Sequence, residues 1–517
     1  MNPICRKIYL ELNKPGFNDT VADKDRIVRA LKPEYGNVIF PIDRFKSCYK
    51  MFRDFDWKLT VTMVQTGYAW EIVRVEPGNT TDKNYAYAAD LGSTTVVMQL
   101  VELNSGVVLA EESIFNHQIP FGEEILSRIF YAKDNEDHLK EIQRCTLFNF
   151  RELMDKLHAA TGVSPGECGV LVIGGNTTMI HFLFGIDPWL IFYTPFTPSF
   201  NSSGFISGRE LELPFDGLVY CFPSVANYVG GDIISGLMAS EMYKHRELSL
   251  FIDIGTNGEM ILGNDQFLLA AAGAAGPALE GGISKQGMRA AAGAVDSVKI
   301  VNNEMILTTI NNEKPIGICG SGIVDLLAEM LLEGWIDYAG VFVPGKSERI
   351  VKREGEYKVV YAWANESGSQ EELVFSQTDI VMFMDTKAAA NIMVDYLLEA
   401  LDIKPHEIQK IYLAGAFGTH LNLESAITIG LYPDLPRDRF VPVGNGSLKG
   451  AHLLLKNEEL LSAAENIIES IMYLSLAEAD DFITKMYAAK FLPHTNFELY
   501  PSVMENLKLR RQKSAVE

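Results

Sequence analysis

Ala88-Ala89-Asp90-Leu91-Gly92-Ser93-Thr94-Thr95 decides how this chain is read. Apolar residues precede it and Val96-Val97-Met98-Gln99-Leu100 follows, so the loop joins strand to strand. A Walker loop or a dinucleotide fingerprint would lead into a helix, and neither GxxxxGK with Ser or Thr nor GxGxxG is present here. The design recurs at Leu250-Phe251-Ile252-Asp253-Ile254-Gly255-Thr256-Asn257-Gly258-Glu259-Met260-Ile261-Leu262. Glycine lets backbone amides approach a phosphate, Ser and Thr add hydroxyl donors, and a strand-end Asp can hold Mg²⁺ through its water shell. One isolated copy reads most simply as an ordinary hairpin with Asp and Gly as turn residues. Two copies in one chain point instead to two related half-domains.

The loops resemble the phosphate-1 and phosphate-2 loops of the actin, heat-shock chaperone and sugar-kinase superfamily. That resemblance implies an α/β fold in which two ribonuclease-H-like lobes clamp ATP. It places Gly92, Ser93, Thr94, Thr95, Gly255, Thr256, Asn257 and Gly258 at the phosphates, and Asp90 and Asp253 at the magnesium. Tyr412-Leu413-Ala414-Gly415-Ala416-Phe417-Gly418 is similar to the superfamily's adenosine motif, with Gly415, Ala416 and Phe417 against the nucleoside. Tight strand-to-helix packing is its structural alternative. Ile318-Cys319-Gly320-Ser321-Gly322 opens a helix, so Gly320 and Ser321 could meet a polar ligand or form an ordinary Ser-capped terminus. Val170 to Met179 reads as strand, turn and helix, resembling a connecting segment. Gly230-Gly231-Asp232 starts another helix. Asp232 could orient an attacking water or cap that helix, and Glu259 is the other candidate for water positioning.

A length of 517 residues exceeds what one core usually supports. Residues 1–84 read as a small α+β module, 85–245 as a first lobe and 246–517 as a second lobe with a surface insertion near 345–370. Within the module, Trp57 to Val64 alternates polar and apolar residues and Trp70 to Val75 could pair with it. Helices are clearest at 122–133, 136–160, 321–333 and 386–401. The formal net charge of -22 disfavours nucleic acid and anionic membranes, which bind clustered Lys and Arg. No apolar run reaches bilayer length and the opening residues lack a secretory signal, so a cytoplasmic location is expected.

Less generic strings narrow the reading. Asn116-His117-Gln118-Ile119-Pro120-Phe121-Gly122-Glu123-Glu124, Ser127-Arg128-Ile129, Ala274 to Gly282 and Gly287-Met288-Arg289 together resemble the reductive activators of corrinoid proteins. The likeness spans almost the whole chain, from Arg6-Lys7-Ile8-Tyr9-Leu10-Glu11-Leu12 onward. It implies ATP-assisted return of cobalt(II) to cobalt(I) on a corrinoid protein serving methyl transfer, and a homodimer. The family places a [2Fe–2S] domain before a linker, and this chain begins at what resembles the linker. Its six cysteines, Cys5, Cys48, Cys145, Cys168, Cys221 and Cys319, are scattered without cluster spacing, so no iron–sulfur cluster is expected on it. The electron is then expected from a low-potential electron donor or iron–sulfur reductase, a unit either missing from this sequence or separate from it. A small-molecule kinase of the same fold, an activator of 2-hydroxyacyl-CoA dehydratases and a nucleotide-gated scaffold without turnover are the alternatives. The dehydratase activator needs cysteines grouped for a shared cluster, and none are so grouped here.

Overall fold

The protein's structure, a computed structural model, describes residues 1–122, 124–225, 227–255, 258–273, 282–476 and 481–514, with the side chains of 416, 417, 419 and 511–514 left aside. Contacts divide the chain into two compact units. The first is Met1–Glu241 with Gly446–Ile471, and the second is Met242–Asn445 with Met472–Glu517.

The first unit opens with strands β1 (Cys5–Glu11), β2 (Val38–Ile39), β3 (Lys58–Gln65) and β4 (Trp70–Pro77), ordered β1-β3-β4-β2. Helices α1 (Asp23–Tyr35), α2 (Ile42–Cys48) and α3 (Met51–Asp54) accompany them. Ile27, Leu31, Phe52, Leu59, Val61, Met63 and Ile72 form the module's own core. Arg44 ties it to the next sheet, its Nη2 donating to Ser207 Oγ at 2.8 Å.

That next sheet contains β5 (Tyr85–Leu91), β6 (Thr95–Glu102), β7 (Val107–Phe115), β8 (Cys168–Gly175), β9 (Phe205–Ser207) and β10 (Leu218–Cys221), ordered β7-β6-β5-β8-β10-β9. β5 to β7 form an antiparallel meander, while β8 runs parallel to β5. Every residue of β8 is buried, as expected of an apolar strand covered on both faces. Helices α4 (Ile125–Ala132), α5 (Glu136–Thr161), α6 (Thr177–Phe184), α7 (Trp189–Phe192) and α8 (Gly231–Ser240) complete this stretch. α5 starts where the Asn135 side chain accepts from the amides of Asp137 and His138, and stops at left-handed Gly162.

The second unit is built on β11 (Ser249–Ile254), β12 (Gly258–Gly263), β13 (Leu268–Gly273), β20 (Lys410–Ala414), β21 (Phe440–Gly444) and β22 (Ile471–Tyr473). Their order is β21-β20-β11-β12-β13-β22. Two smaller sheets join β14 (Ala294–Val301), β15 (Glu304–Thr309) and β16 (Gly317–Ile318), and β17 (Ile350–Arg353), β18 (Glu356–Ala362) and β19 (Leu373–Ser376). The insertion expected near 345–370 is therefore part of a three-stranded sheet. α9 (Gly320–Leu332) and α10 (Gln377–Ala400) are followed by α11 (Gly415–His420), α12 (Leu423–Thr428), α15 (Phe482–Ala489) and α16 (Pro501–Ser514). α10 begins nine residues before the expected Thr386, because Ser376 and Asp379 form a reciprocal capping box there.

Packing cuts across the division drawn from sequence. α13 (Gly446–Lys456) and α14 (Leu460–Ser470) lie within the expected second lobe, yet pack with the first unit. α13 crosses α8 closely enough that a β-carbon on Gly450 would sit 2.0 Å from the carbonyl oxygen of Ser235. Small residues at the crossing allow that approach.

Candidate nucleotide site

In the first unit Asp90 and Leu91 end β5, and Gly92-Ser93-Thr94 turns the chain into β6. A β-carbon on Gly92 would lie 2.5 Å from the Thr95 carbonyl oxygen, so the turn closes too tightly for a side chain. Asp90 and Leu91 pair in parallel with Gly174 and Gly175 at the end of β8. Three helices start at or beside this edge. Asn176 caps α6, its Oδ1 accepting from the Met179 amide at 2.9 Å. The start of α8 abuts it, since a β-carbon on Gly230 would lie 2.6 Å from Asn176 Cα and 2.7 Å from Asp232 Oδ1. The start of α13 closes over Gly174, whose β-carbon would meet Ser447 Oγ at 2.2 Å. Helix N-termini concentrate positive partial charge, so their gathering beside the turn suits an anionic ligand.

Asp232 thus stands beside the β8–α6 turn, near the strand end that carries Asp90. Its Oδ1 also accepts from the Ile233 amide at 2.9 Å, an interaction within its own helix terminus.

The second unit repeats the hairpin. Asp253 faces Glu259 directly across β11 and β12, and Ile254 faces Gly258. Directly opposed residues on antiparallel strands share one face of the sheet, where two carboxylates repel each other. Carboxylate oxygens are hard donors of the kind that fits Mg²⁺. Gly255 ends the described part of the turn; Thr256 and Asn257 lie outside the described residues.

Gly415 comes beside this pair because β20 runs parallel to β11, with Ala414 opposite Asp253. Its φ of +78° and its approach to Asp253 both exclude a side chain. α11 contacts β11, β20, β21 and α9. Buried Tyr432 feels the Asp253 carboxylate, although burial is the larger cause of its raised hydroxyl pKa. The side chains of Ala416 and Phe417 lie outside the described residues. α9 starts at Gly320 with Cys319 as its N-cap residue. Ser321 is inside the first turn with its Oγ 3.4 Å from Cys319 Sγ, so the Ser-capped terminus is not what forms.

Support for the first loop went unrecognised in the sequence. Asn116 Nδ2 donates to the Gly92 carbonyl at 2.9 Å, and the Asn116 amide to the Thr94 carbonyl at 2.9 Å. Arg128 Nη1 donates to the Ser93 carbonyl at 2.8 Å. Asn149 Nδ2 donates to Asn116 Oδ1, and Gln118 Oε1 accepts from Arg128. All four side chains are buried. Their signal in the sequence is the clustering of amides and arginine in Asn116-His117-Gln118 and Ser127-Arg128, the strings that carry the family likeness. Glu123 and residues 274–281 of the other quoted strings lie outside the described residues.

Two strand–loop–strand turns with strand-end aspartates, and a glycine turn beside the second, are the architecture of the actin, heat-shock chaperone and sugar-kinase fold. Comparison with known proteins gives the family. Residues 1–82 match the RACo linker region, 85–245 the RACo middle region and 247–504 the C-terminal domain of RACo, the ASKHA domain. The chain belongs to the RACo family. It is 36% identical to the solved structure of a reductive activator for corrinoid, iron–sulfur protein, with a TM-score of 0.88, over 97% of this chain and 81% of that one. It is 30% identical over 425 residues to the corrinoid activation enzyme RamQ of Eubacterium limosum, covering 80% of this chain and 71% of RamQ. It is 22% identical over 449 residues to the Co(II) methylated amine-specific corrinoid protein reductase of Methanosarcina barkeri, covering 77% of this chain and 75% of the relative.

Proposed function

We propose that this chain is an ATPase that supports reductive activation of a corrinoid protein, returning cobalt(II) to cobalt(I) for methyl transfer. The observation that carries the reading is the pair of Asp-Gly hairpin turns inside a chain that aligns along its length with reductive activators. In this reading the turns at Gly92–Thr95 and Gly255–Gly258 hold phosphates, Gly320 and Ser321 meet the nucleotide from α9, and Gly415–Phe417 lies against the nucleoside. Asp90 and Asp253 hold Mg²⁺ through water, and the ion, when bound, neutralises phosphate charge. Asp232 and Glu259 position the water that attacks the terminal phosphate. One electron is added to cobalt, and it comes from a low-potential donor or an iron–sulfur unit, because ATP hydrolysis supplies free energy and no electron. The protein works in the cytoplasm, as a homodimer.

Nucleotide and partner are coupled by linkage: if the nucleotide-bound form prefers the cobalt(II) partner, the partner must tighten nucleotide binding equally. The test measures phosphate release with and without a cobalt(II) corrinoid protein, and partner affinity with and without a non-hydrolysable ATP analogue. Both should rise together. No response to any corrinoid protein, with phosphorylation of a small hydroxylated metabolite, would establish a kinase instead.

A further inference from the structure

The carbonyls of Gly92, Ser93 and Thr94 are all bonded from the same supporting shell, by Asn116 Nδ2, Arg128 Nη1 and the Asn116 amide. In a planar trans peptide the C=O of one residue points opposite to the N–H of the next. Drawing these three carbonyls into the shell therefore turns the amides of Ser93, Thr94 and Thr95 the other way. The shell is itself braced. Arg128 Nε donates to the Gly122 carbonyl at 2.7 Å, Asn116 Oδ1 accepts from the Gln118 amide at 3.0 Å, and Gln118 Nε2 donates to Thr146 Oγ1. Asn149, on α5, accepts from the His117 amide at 3.0 Å while donating to Asn116. Asn116 and Arg128 are 1% and 0% exposed, so no water competes for these bonds.

We infer that Arg128 and Asn116 are positioning residues that aim the amides of Ser93, Thr94 and Thr95 at a bound phosphate, acting only through the loop backbone. The inference rests on the nucleotide reading above. It assigns to the Asn116–Arg128 segment the preorganisation of an anion site, in which donors are fixed before the ligand arrives. The guanidinium faces the carbonyl side of the loop, so its part is to hold the loop and not to contact phosphate.

The experiment uses the full chain with Arg128→Lys, Arg128→Met and Asn116→Ala, each titrated with Mg-ATP by calorimetry well below its own melting temperature, where the variant is wholly folded. Losing the charge-assisted bond to the Ser93 carbonyl in Arg128→Met, or the buried amide bond to the Gly92 carbonyl in Asn116→Ala, should weaken ATP binding by roughly tenfold. Arg128→Lys, which keeps one donor of shorter reach, should fall between Arg128→Met and the unmodified chain. Steady-state hydrolysis should show KM for ATP raised and kcat lowered together. If a folded Asn116→Ala or Arg128→Met chain binds ATP as tightly as the unmodified one, the positioning role is wrong while the nucleotide reading stands. If the unmodified chain itself takes up no Mg-ATP, both fall.

Discussion

A β-carbon built on Gly415 would lie 2.6 Å from Oδ1 of Asp253. The first residue of α11 and the carboxylate one residue before the end of β11 are therefore in contact range, and their spacing admits hydrogen only. Gly415→Ala would add both a clash and the cost of an L-residue at φ +78°, about 1–2 kcal/mol for the backbone alone. The variant should melt lower and lose nucleotide-induced stabilisation, as thermal shift with and without Mg-ATP would record. An unchanged response to nucleotide would remove Gly415 from the site.

Asp253 and Glu259 stand opposite each other on one face of the β11–β12 hairpin. Glu259→Gln and Asp253→Asn should each fold, yet hydrolyse ATP far more slowly. Asp90→Asn should likewise weaken magnesium dependence. A variant that loses stability and keeps its turnover would argue for a purely structural pair.

His494 supplies a pH signature. It is buried, its Nδ1 accepts from the Asn496 amide at 2.9 Å, and Lys387 lies nearby. Burial first, and the Lys387 charge second, push its pKa from 6.5 down to about 4. A depressed folded-state value means the stabilisation is full above pH 6.5 and is lost as pH falls through about 4. Melting temperature should decline across that window, and His494→Asn should flatten the decline. An identical acid limb in the variant would show that other groups set it.

The cysteines bear on the electron source. All six are free, and burial pushes the thiols of Cys5, Cys168 and Cys221 up to about 12, which disfavours the thiolate needed for iron ligation. Chain purified without oxygen should carry no stoichiometric iron, and cobalt(I) should form only when a low-potential donor is supplied. About two irons per chain retained after desalting would place the electron source on this chain.

What the sequence determined by itself is local. Asp-Gly turns between short apolar strands, at 88–100 and 250–262, declare their own hairpins because a turn's φ and ψ and a strand's alternation are set by residues within a few positions. The beginnings of α6 and α8 at Asn176 and Gly230 were legible for the same reason, and the full-length family likeness followed from such strings in order. The tertiary structure decided which distant pieces meet. Nothing near Gly92 announces that Arg128 and Asn116 hold its loop, because a buried hydrogen-bond shell is specified by how helices pack and not by spacing along the chain. α13 and α14 pack with the first unit although they follow the last parallel strand of the second unit's sheet. Gly415 meets Asp253 only because β20 lies beside β11. Turn chemistry reaches a few residues, whereas a strand's neighbour is chosen by burial of whole faces, an energy that depends on every element at once.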